Sequence, residues 1–159
     1  MRKSSKSANY RFLKGELEEY STEKLHSHKD HQFLVISSGI SMLEEKISKK
    51  VQFGKMCAFI PAGVRHRTTV VGKKISYQSI YIDSFRMKVK EDRVIMFKMS
   101  SLSCSLVDEL TLTSKSDCFL SACFDLFIRT VERDMKNESS IMTLIKIGRA
   151  SCRERVSVV

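Results

Sequence analysis

Short apolar stretches separated by turn residues fill much of the chain between residues 15 and 97. Their spacing is typical of the strands of a β-sandwich or barrel. Glycine and proline supply the backbone conformations that turns need, so we predict turns at Ser38-Gly39, Gly54-Lys55, Pro61-Ala62-Gly63 and Gly72-Lys73-Lys74. The strands predicted between and around these turns are residues 16–20, 33–37, 40–44, 51–53, 57–60, 67–71, 75–82 and 93–97.

After residue 99 the apolar spacing changes to that of an α-helix. Leu102, Leu106, Val107 and Leu110 predict a short helix, with one of the serines between positions 100 and 105 as its N-cap. A second helix is predicted after Ser116 or Asp117. The order of strands first and helices second predicts a mainly β domain with C-terminal helices.

The second predicted helix carries one wide apolar stripe. Its central residues are candidates for a dimer seam, and packing of the same stripe against the β domain is the alternative. These candidates are Leu120, Phe124, Phe127, Ile128 and Val131.

Composition indicates one soluble globular domain. The chain has 159 residues, of which 42% are apolar and 29% charged, and no apolar run is long enough to span a membrane. The N-terminus lacks the apolar core of a secretory signal, so we expect a cytoplasmic protein with no membrane partner. The five cysteines form no CxxC pair and are expected to stay reduced.

The net charge of +10 is concentrated at the two ends of the chain. Residues 1–14 carry five basic residues and no acid (+5), and residues 147–159 carry three arginines and one glutamate (+2), so the ends supply +7 of the +10. Because the middle is nearly balanced, the domain itself is not predicted to be a nucleic-acid surface. Residues 1–14 are predicted to be a flexible basic arm.

The C-terminal segment IGRASCRERV, residues 147–156, resembles the translation of a short-read sequencing adapter. We therefore expect the native reading frame to be interrupted near Lys146, and residues 147–159 to be a non-native tail.

The four histidines lie in two short patches, LHSHKDHQ and IPAGVRHR. On an extended strand His26 and His28 share a face, and Gln32 has the same parity. His66 follows a tight turn that can direct its ring toward the other two, so His26, His28, Gln32 and His66 are candidate ligands of one metal ion. Ni²⁺, Zn²⁺ and Fe²⁺ are equally compatible with three imidazoles.

Two further interpretations of these patches remain open. The rings can instead bind one another or an organic effector, in a pocket without a metal. His31 has the opposite parity and is held as a weaker alternative ligand. Candidates for lining an effector pocket are Phe33, Val35, Tyr77 and Tyr81, with barrel core as the alternative for all four.

The same residues carry a family resemblance. His26-x-His28-x3-Gln32 followed by Gly39 resembles the first cupin motif, and Gly54 through Pro61-Ala62-Gly63-x2-His66 resembles the second. The family has glutamate at the place of Gln32 and asparagine at the place of Val70, and its glycine-to-proline interval is one residue shorter. More narrowly, HSHKDHQFLVISSGI, FIPAGVRHR and SLVDEL resemble the N-terminal sensing domain of AraC/XylS-type transcription regulators, over residues 16–136.

The resemblance implies a cupin-type double-stranded β-helix barrel at residues 15–99 and a helical dimerisation appendage at residues 100–146. It implies a domain that senses a small molecule or a metal, forms a homodimer, and reaches DNA only through a helix-turn-helix domain that this chain does not contain. We expect no enzyme, because no general acid or base is evident beside the histidines. The alternative is a metal-dependent cupin enzyme, a dioxygenase or an isomerase, using the same residues.

Overall fold

The computed structural model of the protein describes residues 3–6, 10–112 and 118–138. Within these ranges seven strands precede two helices. The strands are β1 (Lys3–Lys6), β2 (Tyr10–Glu18), β3 (His31–Glu45), β4 (Lys49–Phe53), β5 (Met56–Ile60), β6 (His66–Ile82) and β7 (Ile95–Lys98), and the helices are α1 (Ser101–Leu112) and α2 (Cys118–Glu138). The prediction of a mainly β domain with C-terminal helices is confirmed. No helix of the described residues is long and apolar enough to cross a membrane.

The strands form one antiparallel sheet in the order β1-β2-β6-β3-β5-β7, with β4 paired to β3. β3 and β6 are long and pair along most of their length, from Glu45 opposite His66 to His31 opposite Ile82. The predicted turn at Ser38-Gly39 is instead an irregularity within β3, where the register shifts and Gly39 has φ of 82°. The predicted turn at residues 72–74 likewise lies inside β6. Such irregularities let long strands bend while they stay paired, which allows a sheet to close on itself.

The structure corrects the prediction that residues 1–14 form a flexible arm. Residues 3–6 form β1, and residues 10–14 belong to β2, which pairs with β6. Tyr10 and Phe12 are buried, and the Tyr10 ring stacks on Phe124 at 4.8 Å between centroids. Tyr10 and Phe12 are buried on one face of β2, and Arg11 and Leu13 lie on the other face. This is the alternation of a strand, which the basic residues of the segment made difficult to recognise.

Two apolar cores lie on opposite faces of the sheet. Phe33 and Val35 of β3 point toward the helices, and Leu34 and Ile36 point into the barrel. The apolar stripe of α2 fills the outer core: Leu120, Phe124, Phe127 and Val131 are buried, and Ile128 is partly buried against the same cluster. These five residues therefore pack within the protomer. This packing corresponds to the alternative given for the stripe, and it leaves little of their surface for the predicted dimer seam.

Asp134 of α2 forms hydrogen bonds with the N-terminal end of α1. Asp134 Oδ2 accepts hydrogen bonds from the backbone N–H of Ser100, at 2.9 Å, and from the hydroxyl of Ser103, at 2.6 Å. Ser100 is the N-cap of α1, because its Oγ accepts the backbone N–H of Ser103 at 3.2 Å. Burial raises the pKa of Asp134, but the hydrogen bonds from Ser103 and Ser100 outweigh it and the net shift is downward. The predicted caps of the second helix, Ser116 and Asp117, and the adapter-like tail lie outside the described residues.

Candidate functional site

The segment between β2 and β3 lies along the N-terminal part of β6 and pairs with it. Glu23 donates its backbone N–H to the carbonyl of Thr68 at 2.9 Å, and Val70 donates to the carbonyl of Ser21 at 3.0 Å. His26 and His66 form an isolated antiparallel bridge in which each N–H donates to the other carbonyl, at 3.0 and 2.8 Å. This pairing holds the first histidine patch against the second.

The three histidine rings form a compact cluster. Ring centroids are 4.7 Å apart for His26 and His28, 4.5 Å for His26 and His66, and 5.0 Å for His28 and His66. One ring nitrogen from each residue lies within 4.8 Å of the other two. Three imidazole nitrogens at this separation could hold one metal ion.

Backbone carbonyls orient two of the three rings. His26 Nδ1 lies 2.7 Å from the carbonyl oxygen of Lys24, and His66 Nδ1 lies 3.0 Å from that of Val64. A carbonyl oxygen only accepts, so both Nδ1 atoms carry the proton and both neutral rings keep a lone pair on Nε2. A backbone partner at the other ring nitrogen is the usual arrangement for a histidine that binds a metal. The Nε2 of His28 is buried and has no hydrogen-bond partner among the described residues.

The local electrostatics favour the neutral form of two of the rings, those of His28 and His66. Burial, together with the neighbouring His66 and His26, lowers the pKa of His28 to about 4. Burial also lowers the pKa of His66. Neutral imidazole is the form that binds metals, so these two rings are in the ligand form at neutral pH.

Gln32 contributes a second buried polar atom without a partner. Its side chain is 5% exposed, and its Nε2 donates to the Ser79 hydroxyl at 3.0 Å. Its Oε1 is buried and meets no hydrogen-bond donor in normal geometry among the described residues, although the Gln32 side chain lies close enough to His28 to act on the pKa of that ring. This amide oxygen is therefore available to a metal ion or to a donor group of a bound molecule.

A narrow cavity inside the curved sheet adjoins the cluster. Its polar lining includes Glu23, His26 and Gln32, and its apolar lining consists of leucine and isoleucine side chains of β2, β3 and β6. The cavity volume is about 50 Å³, and a cavity needs about 10–15 Å³ to hold a water molecule. The space therefore suits a metal ion or a small organic molecule.

The predicted pocket residues divide between the two faces of the sheet. Tyr77 and Tyr81 line the cavity. Phe33 and Val35 do not, because they belong to the core that packs against the helices. Their assignment to the pocket is corrected: β3 presents Gln32, Leu34 and Ile36 to the cavity instead.

The fourth histidine has a different environment. His31 is buried, with its Nε2 at 2.9 Å from the carbonyl oxygen of Met87. Its Nδ1 accepts the backbone N–H of Ala62 at 3.0 Å. Both ring nitrogens are thus occupied by hydrogen bonds to the backbone, so His31 joins the strand to two loops and is not available as a ligand.

Two charged residues near the cavity have no counterpart in the sequence-based prediction. Glu23 lines the cavity with His26 and lies close enough to His66 and Tyr81 for its charge to favour protonation of both, although burial dominates and lowers the pKa of His66 and raises that of Tyr81. Arg11 lies over the Tyr81 ring, with its Cζ 3.9 Å from the centroid. Both positions depend on pairing with β6, which no local sequence pattern reveals.

Comparison with known proteins gives matches to solved structures only. No family model and no curated protein matches the chain. The apo structure of ToxT from Vibrio cholerae, an AraC-family regulator, aligns with a TM-score of 0.68 at 12% identity, over 91% of this chain and 62% of ToxT. ToxT with a bound unsaturated fatty acid aligns with a TM-score of 0.60 at 15% identity, over 85% of this chain and 58% of ToxT. This chain therefore spans about three fifths of the length of ToxT.

Cupin structures also align with this chain. One is a Cupin 2 conserved barrel domain protein from Salinispora arenicola, with a TM-score of 0.48 at 11% identity over 53% of this chain and 76% of that protein. The fold is a cupin-type barrel followed by two helices.

The expectation that this chain is not an enzyme has to be corrected. Enzymes stand among the similar structures beside regulators, for example an oxalate decarboxylase from Bacillus subtilis at 16% identity, with a TM-score of 0.42 over 47% of this chain and 21% of that enzyme. The expectation also depended on the lack of an acid or base beside the histidines, and Glu23 lies in the lining of the same cavity.

Proposed function

We propose that this chain is the effector-sensing domain of an AraC-family transcription regulator, and that the barrel cavity with its three histidines is the sensing site. The observation that carries the proposal is the cluster of His26, His28 and His66, which adjoins the cavity through His26. Two buried polar atoms there, His28 Nε2 in the cluster and Gln32 Oε1 in the cavity lining, have no hydrogen-bond partner among the described residues. The alignment with ToxT supports it, because that alignment extends over 91% of this chain, helices included.

The geometry suggests how a ligand would act. His26 and His28 belong to the segment before β3, whereas His66 belongs to β6. A ligand bound by all three rings therefore favours the arrangement in which this segment is docked on the barrel. A ligand changes such an equilibrium only through its different affinities for the two arrangements.

A divalent metal is one proposed effector. Three Nε2 atoms and the amide oxygen of Gln32 would hold Ni²⁺, Zn²⁺ or Fe²⁺, and a bound ion would supply a Lewis-acidic centre at the cavity. The unpartnered atoms His28 Nε2 and Gln32 Oε1 fit this use, since a buried polar atom without a partner is costly unless something binds it.

A small organic molecule is the other proposed effector. ToxT was crystallised with an unsaturated fatty acid, which supports a small-molecule ligand here as well. In this proposal the protein is a homodimer and contacts DNA through a separate helix-turn-helix domain that follows the helices. The proposed dimer face is the exposed side of α2, where Phe119 is 60% exposed and Leu126 is 43% exposed.

The metal proposal is tested by thermal unfolding of the purified chain with Ni²⁺, Zn²⁺ or Fe²⁺. We expect each ion that binds to raise the melting temperature, and His28→Ala or His66→Ala to abolish the rise. Cys118→Ser is the matched control, because Cys118 is an exposed thiol distant in sequence from the cluster and its loss should leave the rise intact. No bound metal by elemental analysis together with no rise for any of the three ions would reject metal binding.

A metal-dependent cupin enzyme is the second candidate, favoured by Glu23 in the cavity lining. A carboxylate beside a held substrate can accept a proton. Glu23→Gln should then leave metal binding unchanged and abolish turnover. Sequencing of the native gene around and beyond codon 146 separates the two candidates: a helix-turn-helix domain there supports the regulator, and a stop codon there supports the enzyme.

A further inference from the structure

A groove of about 690 Å³ lies between α2 and the segment that joins β6 to β7. Sites that hold a drug-sized molecule have volumes of roughly 300–1,000 Å³, so this groove has room for several side chains. One wall is the last part of α2, and the other is residues 87–96, which lead into β7. The apolar residues of the lining are Met87, Val89, Val94, Ile95, Met96 and Met135.

Hydrogen bonds from the barrel hold the second wall in place. His31 donates from Nε2 to the carbonyl oxygen of Met87 at 2.9 Å. Lys50 donates to the carbonyl oxygen of Val94 at 2.6 Å, and the backbone N–H of Val94 donates to the Glu45 carboxylate at 3.2 Å. This wall is therefore attached to the barrel at both Met87 and Val94, and it is a defined surface.

The lining suits the side chains of a peptide segment. Three of its six apolar residues are methionines, whose unbranched side chains adapt to irregular partners. The other lining residues are charged and of both signs, for example Lys88, Glu91 and Glu132. The groove thus combines an apolar contact surface with groups that can bind the backbone and hydroxyl groups of a peptide.

The chain itself continues from the edge of this groove. Lys136 lines the groove, and α2 ends two positions later at Glu138. Residues 139–146 read SSIMTLIK and lie outside the described residues. Five residues of extended chain span at most about 17 Å, so Ile141 can reach the groove. The segment has four apolar residues with the spacing of one helix face and Thr143 on the opposite face; the four are Ile141, Met142, Leu144 and Ile145.

We propose that the groove binds the apolar side chains of residues 141–145 of the same chain. Burial of four apolar side chains that would otherwise contact water favours this docking. Docking fixes the direction in which the chain leaves the barrel and its helices, and with it the position of any domain that follows. The inference does not depend on the proposed sensing role, because the groove shares no lining residue with the barrel cavity.

Oxidation of methionines in the full chain by hydrogen peroxide, followed by mass spectrometry, tests the proposal. Met135 is partly buried in the groove lining, and Met56 is also partly buried but lies outside it. We expect Leu144→Asp to speed the oxidation of Met135 roughly threefold or more and to leave Met56 unchanged. Thr143→Asp adds the same charge on the opposite face of the segment, so it should leave both rates unchanged.

Disulfide formation between two introduced cysteines is the second measurement, with peptide mass mapping to identify the pair. Val89→Cys combined with Leu144→Cys should give an intramolecular disulfide, because Val89 lines the groove. Val71→Cys combined with Leu144→Cys is the matched control and should give none, since Val71 is an exposed valine outside the lining.

Three results would each overturn the proposal: unchanged Met135 oxidation in Leu144→Asp, an equal increase in Thr143→Asp, or no disulfide between positions 89 and 144. A disulfide between two chains would overturn it as well, because the occupant of the groove would then be a second copy. If Leu144→Asp lowers the melting temperature of the whole chain, the disulfide measurement decides, since it adds no charge to the segment.

Discussion

The backbones of His26 and His66 exchange two hydrogen bonds, at 3.0 and 2.8 Å, and their rings lie 4.5 Å apart. The first residue belongs to an irregular segment and the second to the start of β6. The histidine cluster therefore exists only while this segment is docked on the barrel. A molecule that binds all three rings stabilises the docked arrangement, and conditions that charge the rings oppose it.

Acidification should destabilise the metal-free protein at a pH where its carboxylates are still ionised. The folded pKa of His28 is about 4, below the ordinary value of 6.5, so the unfolded chain takes up the proton first. The stabilisation from neutral His28 is complete above about pH 6.5 and is lost as the pH falls toward 4. Urea unfolding at pH 7, 6 and 5 measures this loss. His28→Asn should show a smaller decline over that range, and an equal decline would contradict the assignment.

Removing one partner of the buried ion pair between Glu45 and Lys50 should be strongly destabilising. Glu45 accepts from Lys50 and from the backbone N–H of Val94, and Lys50 also donates to the carbonyl of Val94 at 2.6 Å. The two side chains are only 7% and 13% exposed. Glu45→Gln leaves the buried ammonium uncompensated, so we expect the free energy of unfolding to fall by about 3 kcal/mol.

Lys74→Gln is the control for this change. The Lys74–Glu16 pair spans 3.1 Å on the surface, with both side chains about half exposed, so its loss should have little effect. Urea unfolding of both variants tests the contrast, and equal losses would show that burial does not decide the strength of these pairs.

Alanine at position 39 should disrupt the irregular part of β3. Gly39 has φ of 82°, and a Cβ there would overlap the backbone carbonyl oxygen of Lys74. We expect Gly39→Ala to lower the free energy of unfolding by more than about 2 kcal/mol. Gly63 has nearly the same φ, 81°, but open space around it, so Gly63→Ala should cost only about 1 kcal/mol. Equal costs would mean that the close approach to Lys74 has no influence.

If α2 forms the dimer interface, its exposed face and its buried face should respond differently to mutation. Leu126→Glu should produce monomers in analytical ultracentrifugation with little change in stability. Phe124 is 1% exposed, so Phe124→Ala should lower the free energy of unfolding by about 3–5 kcal/mol.

A second exposed apolar patch is formed by Ile40, Phe53 and Val71 on adjacent strands. If Phe53→Lys is monomeric and Leu126→Glu remains dimeric, the dimer interface is this patch on the sheet and not α2.

Residue spacing alone was enough to predict some of these features. Alternation predicted strand segments that β3 and β6 contain, and the change of period after residue 99 predicted helices in the regions of α1 and α2. The spacing of His26 and His28 predicted, for an extended strand, that their rings share a face. Their centroids are 4.7 Å apart, but the two residues lie in an irregular segment before β3, with an isolated bridge at His26. Each of these features depends on residues within a few positions of one another, where backbone geometry limits the alternatives.

Spacing did not predict which face of β3 lines the cavity. Phe33 and Val35 alternate with Leu34 and Ile36, and all four are buried. One set contacts the helices and the other lines the barrel, so both faces are apolar and the period of two does not distinguish them. The same ambiguity applies to the stripe of α2, which is equally suited to a partner or to the protomer core.

The local pattern of the chain thus contained the strands, the helices and the pairing of neighbouring histidines, because these follow from short-range geometry. Folding decided that His66 joins His26 and His28, that Gln32 faces the cavity, and that Arg11 and Glu23 lie near it. These contacts join segments that are roughly 40 or more positions apart, through the pairing of β2, β3 and the segment between them with β6. Sheet closure sets those distances, and closure is a property of the whole barrel.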